Sequence, residues 1–169
     1  MRWIWIDRFE AFDPGRRAVA VKVLSAAEDH FAEHYPGFAV FPAALIVEGL
    51  AQTGGILVGE ANQFREKVVL AKVPKAVFHR EVGPGETLTY TADVVDLRPE
   101  GAIVSGTAHV GESLVAEVEI FFAHLDKNRA ATEFGAENFV FTGELAYLLG
   151  QAKLAPARVP GVLPAAATL

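Results

Sequence analysis

The sequence predicts an α+β domain in which a curved antiparallel sheet wraps one long apolar helix. Three observations point there: two strand-like segments near the N-terminus, a run from Ala43 to Gly59 whose apolar residues and glycines cover nearly every helical face, and five further strand-like segments after it. A helix that is apolar all round has to be enclosed rather than lie on a surface. A run of antiparallel strands is the layer able to enclose it.

Taken in order, Trp3 to Phe12 is rich in aromatic and β-branched residues. Asp13-Pro14-Gly15 then supplies turn chemistry before Ala18 to Leu24, a second β-type run. Ser25 to Glu33 is expected to form a short helix with Ser25 as its N-cap, broken by Tyr35-Pro36-Gly37. Pro42 suits the first turn of the long helix, where its missing N–H costs nothing, and that helix is expected to run to about Asn62. Val68 to Val73, Ala76 to Val82, Thr87 to Leu97, Ala102 to Val110 and Leu114 to Leu125 are the expected later strands, separated by Gly- and Pro-containing turns. In the last of them Leu114, Ala116, Val118, Ile120 and Phe122 share one face and should meet the helix, with Glu117 and Glu119 on the other. Residues 1–126 make the expected domain. Residues 127–169 make a C-terminal extension, with a docked segment around Phe134 to Leu154, helical from Gly143, and a loose tail punctuated by Pro156, Pro160 and Pro164.

Composition narrows the function. The 169 residues suit a single domain, and 51% hydrophobic against 21% charged residues leaves ample surface to bury. A formal charge of -6 argues against nucleic acid as the main partner, because phosphate neutralisation needs a basic face. With no cysteine, disulfides, thiolate metal sites and cysteine nucleophiles are excluded. No signal-peptide core can be drawn before Asp7, Arg8 and Glu10, so the expected location is the cytoplasm. Phe41 to Val58 approaches membrane-spanning length, but Glu48 would be costly at mid-bilayer. Without a GxGxxG or Walker-type loop, no nucleotide cofactor is expected. His30, His79, His109 and His124 lack metal-binding pair spacing, and Ser105 and Ser113 lack a nucleophile elbow, so no metal and no serine nucleophile are expected.

Two ionisable residues stand apart. His34 lies in a rigid turn leading toward the long helix, and Glu48 lies two turns into that helix among Leu45, Ile46, Val47 and Leu50. Burial favours the protonated form of a carboxyl group. A histidine and such a carboxyl beside a hydrophobic enclosure are the parts needed for proton abstraction and leaving-group protonation. Taken singly, each residue has an ordinary structural role open to it: a turn cap for the histidine, a helix-surface charge for the glutamate.

His34-Tyr35-Pro36-Gly37, Phe41-Pro42-Ala43 and Leu45-Ile46-Val47-Glu48-Gly49-Leu50-Ala51-Gln52 together resemble the signature of the β-hydroxyacyl-acyl-carrier-protein dehydratases of the FabZ/FabA type, spacing included. Ile6-Asp7-Arg8, Pro14 to Ala20 and Gly83 to Leu88 extend the resemblance over roughly Ile4 to Ala123. It implies a hot-dog fold, a dimer whose two sheets join, an acyl-carrier-protein partner and an elimination without cofactor. His34 would remove the α-proton and Glu48 would protonate or position the departing hydroxyl. A backbone amide near Ala43 would hold the thioester carbonyl, where the opening of a helix suits developing negative charge, and Gly37 would serve a tight backbone approach near His34. Ala43 stands where the family usually has glycine, adding a methyl group that narrows the site. Phe38, Phe41 and Phe78 are candidates to line an acyl tunnel.

Arg65, Lys67, Lys72, Lys75 and Arg80 face only Glu66 in their segment, a local balance of +4 that leaves -10 on the remainder. They are candidates for docking an acidic carrier protein. The competing functions are a hot-dog acyl thioesterase, disfavoured by the presence of both His34 and Glu48, and a non-catalytic acyl-binding subunit.

Overall fold

A computed structural model describes residues 4–125 and 143–154. Trp3, the segment from 126 to 142 and the tail from 155 lie outside the described residues. The chain order is β1 (Arg8–Asp13), β2 (Arg17–Val23), α1 (Asp29–Glu33), α2 (Ala43–Ala61), β3 (Lys67–Phe78), β4 (Thr87–Arg98), β5 (Gly101–Val110), β6 (Ser113–Leu125) and α3 (Gly143–Leu154). The strands form one antiparallel sheet in the order β1-β2-β4-β5-β6-β3. Helix α2 packs against β2 to β6, which is the hot-dog arrangement.

The core follows from the composition of α2. Leu50, Leu57 and Val58 are essentially fully buried, each contributing on the order of 1.5–3 kcal/mol. They meet Leu88, Tyr90, Val104, Ile120 and Phe122 in one cluster with Trp5, Ile6 and Phe41. Glycines set the helix-to-sheet distance. A methyl group on Gly49 would come within 2.5 Å of the Tyr90 ring, and one on Gly54 within 3.1 Å of Val104 and 3.2 Å of Phe122. From the sheet side, Gly106 leaves the space that Leu50 fills. Tyr90 is buried, its hydroxyl has no hydrogen-bond partner among the described residues, and desolvation pushes its pKa well above the ordinary value.

Four local expectations are corrected. The first strand begins at Arg8, because the Trp5 N–H leaves the sheet to donate to Gln52 Oε1 of α2 at 2.8 Å. Ser25 is not the N-cap of α1. Its Oγ accepts the Ala27 N–H at 3.2 Å in a local turn, and the helix starts after Glu28. The segments 68–73 and 76–82 are not two strands. One strand, β3, runs through Pro74, which an edge position tolerates, and register shifts around Lys72 absorb the irregularity. It ends at Phe78, and the Val82 carbonyl then accepts the Phe41 N–H at 2.8 Å, holding the approach to α2. In β6 the inward alternation holds from Ala116 to Phe122, but a register shift opposite Ala108 and His109 turns Val115 inward and leaves Leu114 half-buried.

Helix α3 packs on β1, and Leu145 and Leu149 are buried there. Among the described residues no helix is long and apolar enough to cross a membrane.

The glycines of α2 should respond in opposite directions to the same substitution. At Gly55 an added methyl group meets Phe122 at an ordinary 3.4 Å, so Gly55→Ala should stabilise the protein by about 0.5–1 kcal/mol through helix propensity. At Gly49 the clash with the Tyr90 ring outweighs that gain, and Gly49→Ala should destabilise by about 1–3 kcal/mol. Urea midpoints of the two variants check the pair.

Candidate active site

The first turn of α2 opens the site. The Leu45 and Ile46 N–H groups close onto the Pro42 carbonyl at 2.9 and 3.3 Å, so Pro42 is the flanking residue rather than the first helical one. The Ala43 and Ala44 amides are left without an intrahelical acceptor. They face a cavity of about 690 Å³ whose lining includes Trp5, His30, His34, Phe41, Ala43 and Phe78. Positive electrostatic potential from the helix end and two free N–H groups suit an oxygen acquiring negative charge there.

His34 ends α1, its N–H donating to the His30 carbonyl at 3.1 Å, and its exposed ring packs against Tyr35 at 4.1 Å between centroids, the rings inclined at 57°. Gly37 follows in a left-handed conformation with φ +84°, and among the described residues nothing lies within 4 Å of where a Cβ would stand. The backbone angle, which glycine adopts without strain, accounts for glycine here.

Glu48 is half-buried on α2 and is not part of the wall of the cavity that His34 lines. Glu48 instead lies on a stripe with Ala44, Val47 and Gly55 that the chain's own sheet leaves incompletely covered. Gln52, one turn on, donates from Nε2 to Glu48 Oε1 at 3.0 Å and accepts the Trp5 N–H, so the carboxylate is oriented by a link to the N-terminal segment. The sequence reading did not assign Gln52 a role. Its i,i+4 spacing from Glu48 is the signal that could have done so.

Of the phenylalanine candidates, Phe41 is buried and Phe78 exposed, and both line the cavity; Phe38 is exposed and lies outside it. The basic segment is broken up by the fold. Lys67 is buried, and Arg80 pairs with Glu86 at 2.9 Å, its hydrogen bond holding that carboxyl below the ordinary range. Arg65 bonds Gln63, Lys72 lies 5.4 Å from the centroid of the Phe121 ring, and Lys75 stands opposite Glu119. Lys72 and Lys75 are the exposed cations on the strand that leads to Phe78.

The cavity also contains a histidine that the sequence reading gave no role. His30 is buried, its ring set against Trp5, Phe31 and Phe41 at centroid distances of 5.4, 4.3 and 5.1 Å. Trp5 and His30 also line a second cavity of about 660 Å³, bounded by α3 through Gly143, Tyr147 and Leu148. Trp5 Nε1 and His30 Nε2 have no hydrogen-bond partner among the described residues.

The family model for FabA-like domains matches residues 3–119. The 3-hydroxyacyl-[acyl-carrier-protein] dehydratase FabZ of Symbiobacterium thermophilum is 41% identical over 125 residues, covering 73% of this chain and 88% of that protein. The enzyme of the same name from Clostridium kluyveri is 35% identical over 127 residues, covering 75% and 88%. Among solved structures, the dehydratase heterocomplex ApeI:P of Xenorhabdus doucetiae superposes with a TM-score of 0.65 at 10% identity, over 77% of this chain and 88% of that one. A hypothetical thioesterase with coenzyme A from Streptococcus pneumoniae gives 0.58 at 9% identity, over 70% and 85%. At such identities the two structures establish the shared fold alone.

Burial of His30 gives stability a pH dependence. Desolvation lowers its pKa below the ordinary 6.5, so the unfolded chain takes up the proton more readily than the folded one. Its contribution to stability is complete above pH 6.5 and should be lost progressively as pH falls below it, levelling off below the folded-state pKa. Urea midpoints between pH 7.5 and 5 should fall more steeply for the wild type than for His30→Phe.

Proposed function

The chain belongs to the FabA-like family and is a β-hydroxyacyl-acyl-carrier-protein dehydratase, and we propose that its elimination is carried out by His34 of one subunit with Glu48 of the partner subunit. The observation that carries this reading is the split within one chain: the histidine lines a cavity at the opening of α2, while the carboxylate lies on an incompletely covered stripe of the same helix. A second copy packed on that stripe would bury it and bring each carboxylate to the other chain's histidine. A closed two-fold dimer has two equivalent sites of this kind.

In the proposed mechanism the thioester carbonyl lies against the Ala43 and Ala44 backbone amides at the opening of α2. His34 takes the α-proton, the electron pair moves toward the carbonyl oxygen, and the helix-end amides stabilise the resulting enolate. Collapse of the enolate expels the β-hydroxyl, to which Glu48 delivers a proton from an orientation set by Gln52. The products are a trans-2-enoyl thioester and water; the site resets when His34 gives up its proton and Glu48 regains one. The Ala43 methyl group narrows the carbonyl end, and Phe41 and Phe78 flank the acyl chain. We place the activity in the cytoplasm, in acyl-chain synthesis.

Carrier docking rests on Lys72 and Lys75, beside the Phe78 end of the cavity. The KM for carrier-linked substrate should rise with salt and with reversal of both lysines to Glu, while that for a small thioester stays unchanged. An equal rise for both substrates would point away from docking.

With a β-hydroxyacyl thioester, purified protein should generate enoyl absorbance without free thiol; thiol release would mark a thioesterase, and neither signal a binding subunit. His34→Ala and Glu48→Gln should each lower turnover on the order of a hundredfold or more. Subunit exchange between these two inactive variants should restore about a quarter of wild-type activity, because half the dimers are then mixed and each holds one intact site. Exchange verified by mass spectrometry without recovery would refute the shared site.

A further inference from the structure

Helix α1 has only five residues and no side-chain N-cap, so it cannot hold its own position. Yet it carries His34 at its C-terminal end. Its N-terminal flank, Glu28, is gripped by a buried ammonium group: Lys22 of β2 is 6% exposed, and its Nζ donates to Glu28 Oε1 at 2.5 Å and to the Val23 carbonyl at 3.0 Å. Asp7 completes the group, with Oδ1 3.5 Å from Lys22 Nζ and Oδ2 accepting the Val23 N–H at 2.7 Å. The second oxygen of Glu28 accepts the Ser25 N–H at 3.1 Å. One lysine thus ties the sheet, the N-terminal segment and the entry to α1 together.

An ion pair of one buried and one half-buried group is a weak source of stability, because desolvating the charges offsets most of their attraction. What it supplies is geometry, since the short charge-assisted bond from Lys22 to Glu28 fixes distance and direction. We infer that Lys22 and Glu28 are positioning residues that hold α1 so that His34 meets the α-carbon of the substrate. The inference rests on the assignment of His34 as the base. Neither residue lines the cavity that His34 lines, so their effect on the reaction passes through the helix.

The test compares Lys22→Met with the double variant Lys22→Met/Glu28→Leu, which leaves no unpaired buried charge. The substrate is the β-hydroxybutyryl thioester of N-acetylcysteamine, and amide hydrogen exchange is followed in parallel. The single variant should lose both melting temperature and turnover. The double variant should regain the melting temperature, while its kcat stays about tenfold or more below wild type, the effect of a small misplacement, and its KM stays within about twofold. Exchange should accelerate at residues 29–34 and not at 43–61. Recovery of kcat together with the melting temperature would overturn the inference, as would unchanged exchange at 29–34. Should the wild-type protein fail to dehydrate the thioester, the proposed reaction falls, and the exchange pattern alone then decides whether the pair holds α1.

Discussion

Close contact between α2 and the concave face of the sheet is the constraint on which the rest of the structure depends. Gly49, Gly54 and Gly106 remove the methyl groups that would hold helix and sheet apart, and Tyr90, Val104, Phe122 and Leu50 occupy the space so released. Dispersion contacts fade within an ångström of added separation, so this approach rather than apolar area alone makes the core dense. The cost is visible at Tyr90, whose buried hydroxyl has no partner among the described residues. A polar group left so is worth about 1–3 kcal/mol of lost stability, which the surrounding packing has to outweigh.

Seating α2 in this way also makes the chemistry. With its flanks on the sheet, the helix keeps one stripe incompletely covered, and the half-buried carboxylate of Glu48 lies on that stripe beside the Gln52 amide that orients it. Its N-terminus is held by the bond between Phe41 and Val82, so the first amides open toward the cavity rather than into the core. The proposed acid and the proposed base are therefore carried differently. The carboxylate rides on the longest and best-packed helix, whereas the histidine rides on a helix of five residues that depends on its neighbours for its place.

Much of the fold was legible because hydrophobic periodicity is local. The encircling apolar run from Ala43 to Gly59 required enclosure whatever enclosed it, and the strand segments from Thr87 onward carried their own alternation and turn residues. His34 and Glu48 stood out by their context, a histidine in a rigid turn and a carboxyl in an apolar helix, and the motif strengthened the pairing. Their separate chemistry had ordinary alternatives, and nothing local says that the histidine lines a cavity whose wall does not include the carboxylate of the same chain.

The sequence by itself determined the fold class, the place of the long helix and the residue types available for acid-base work, since each follows from side-chain chemistry at short range. Tertiary structure alone decided the rest. Pro74 lies inside a strand because β3 is an edge, Lys67 is lost to the basic face because it is buried, and Val115 turns inward because a register shift resets the alternation. Lys22, Glu28 and Asp7 lie on three separate segments, and Gln52 finds Trp5 across 47 residues. Such partners meet only when helix and sheet close on each other, because burial and charge pairing depend on where the chain returns in space.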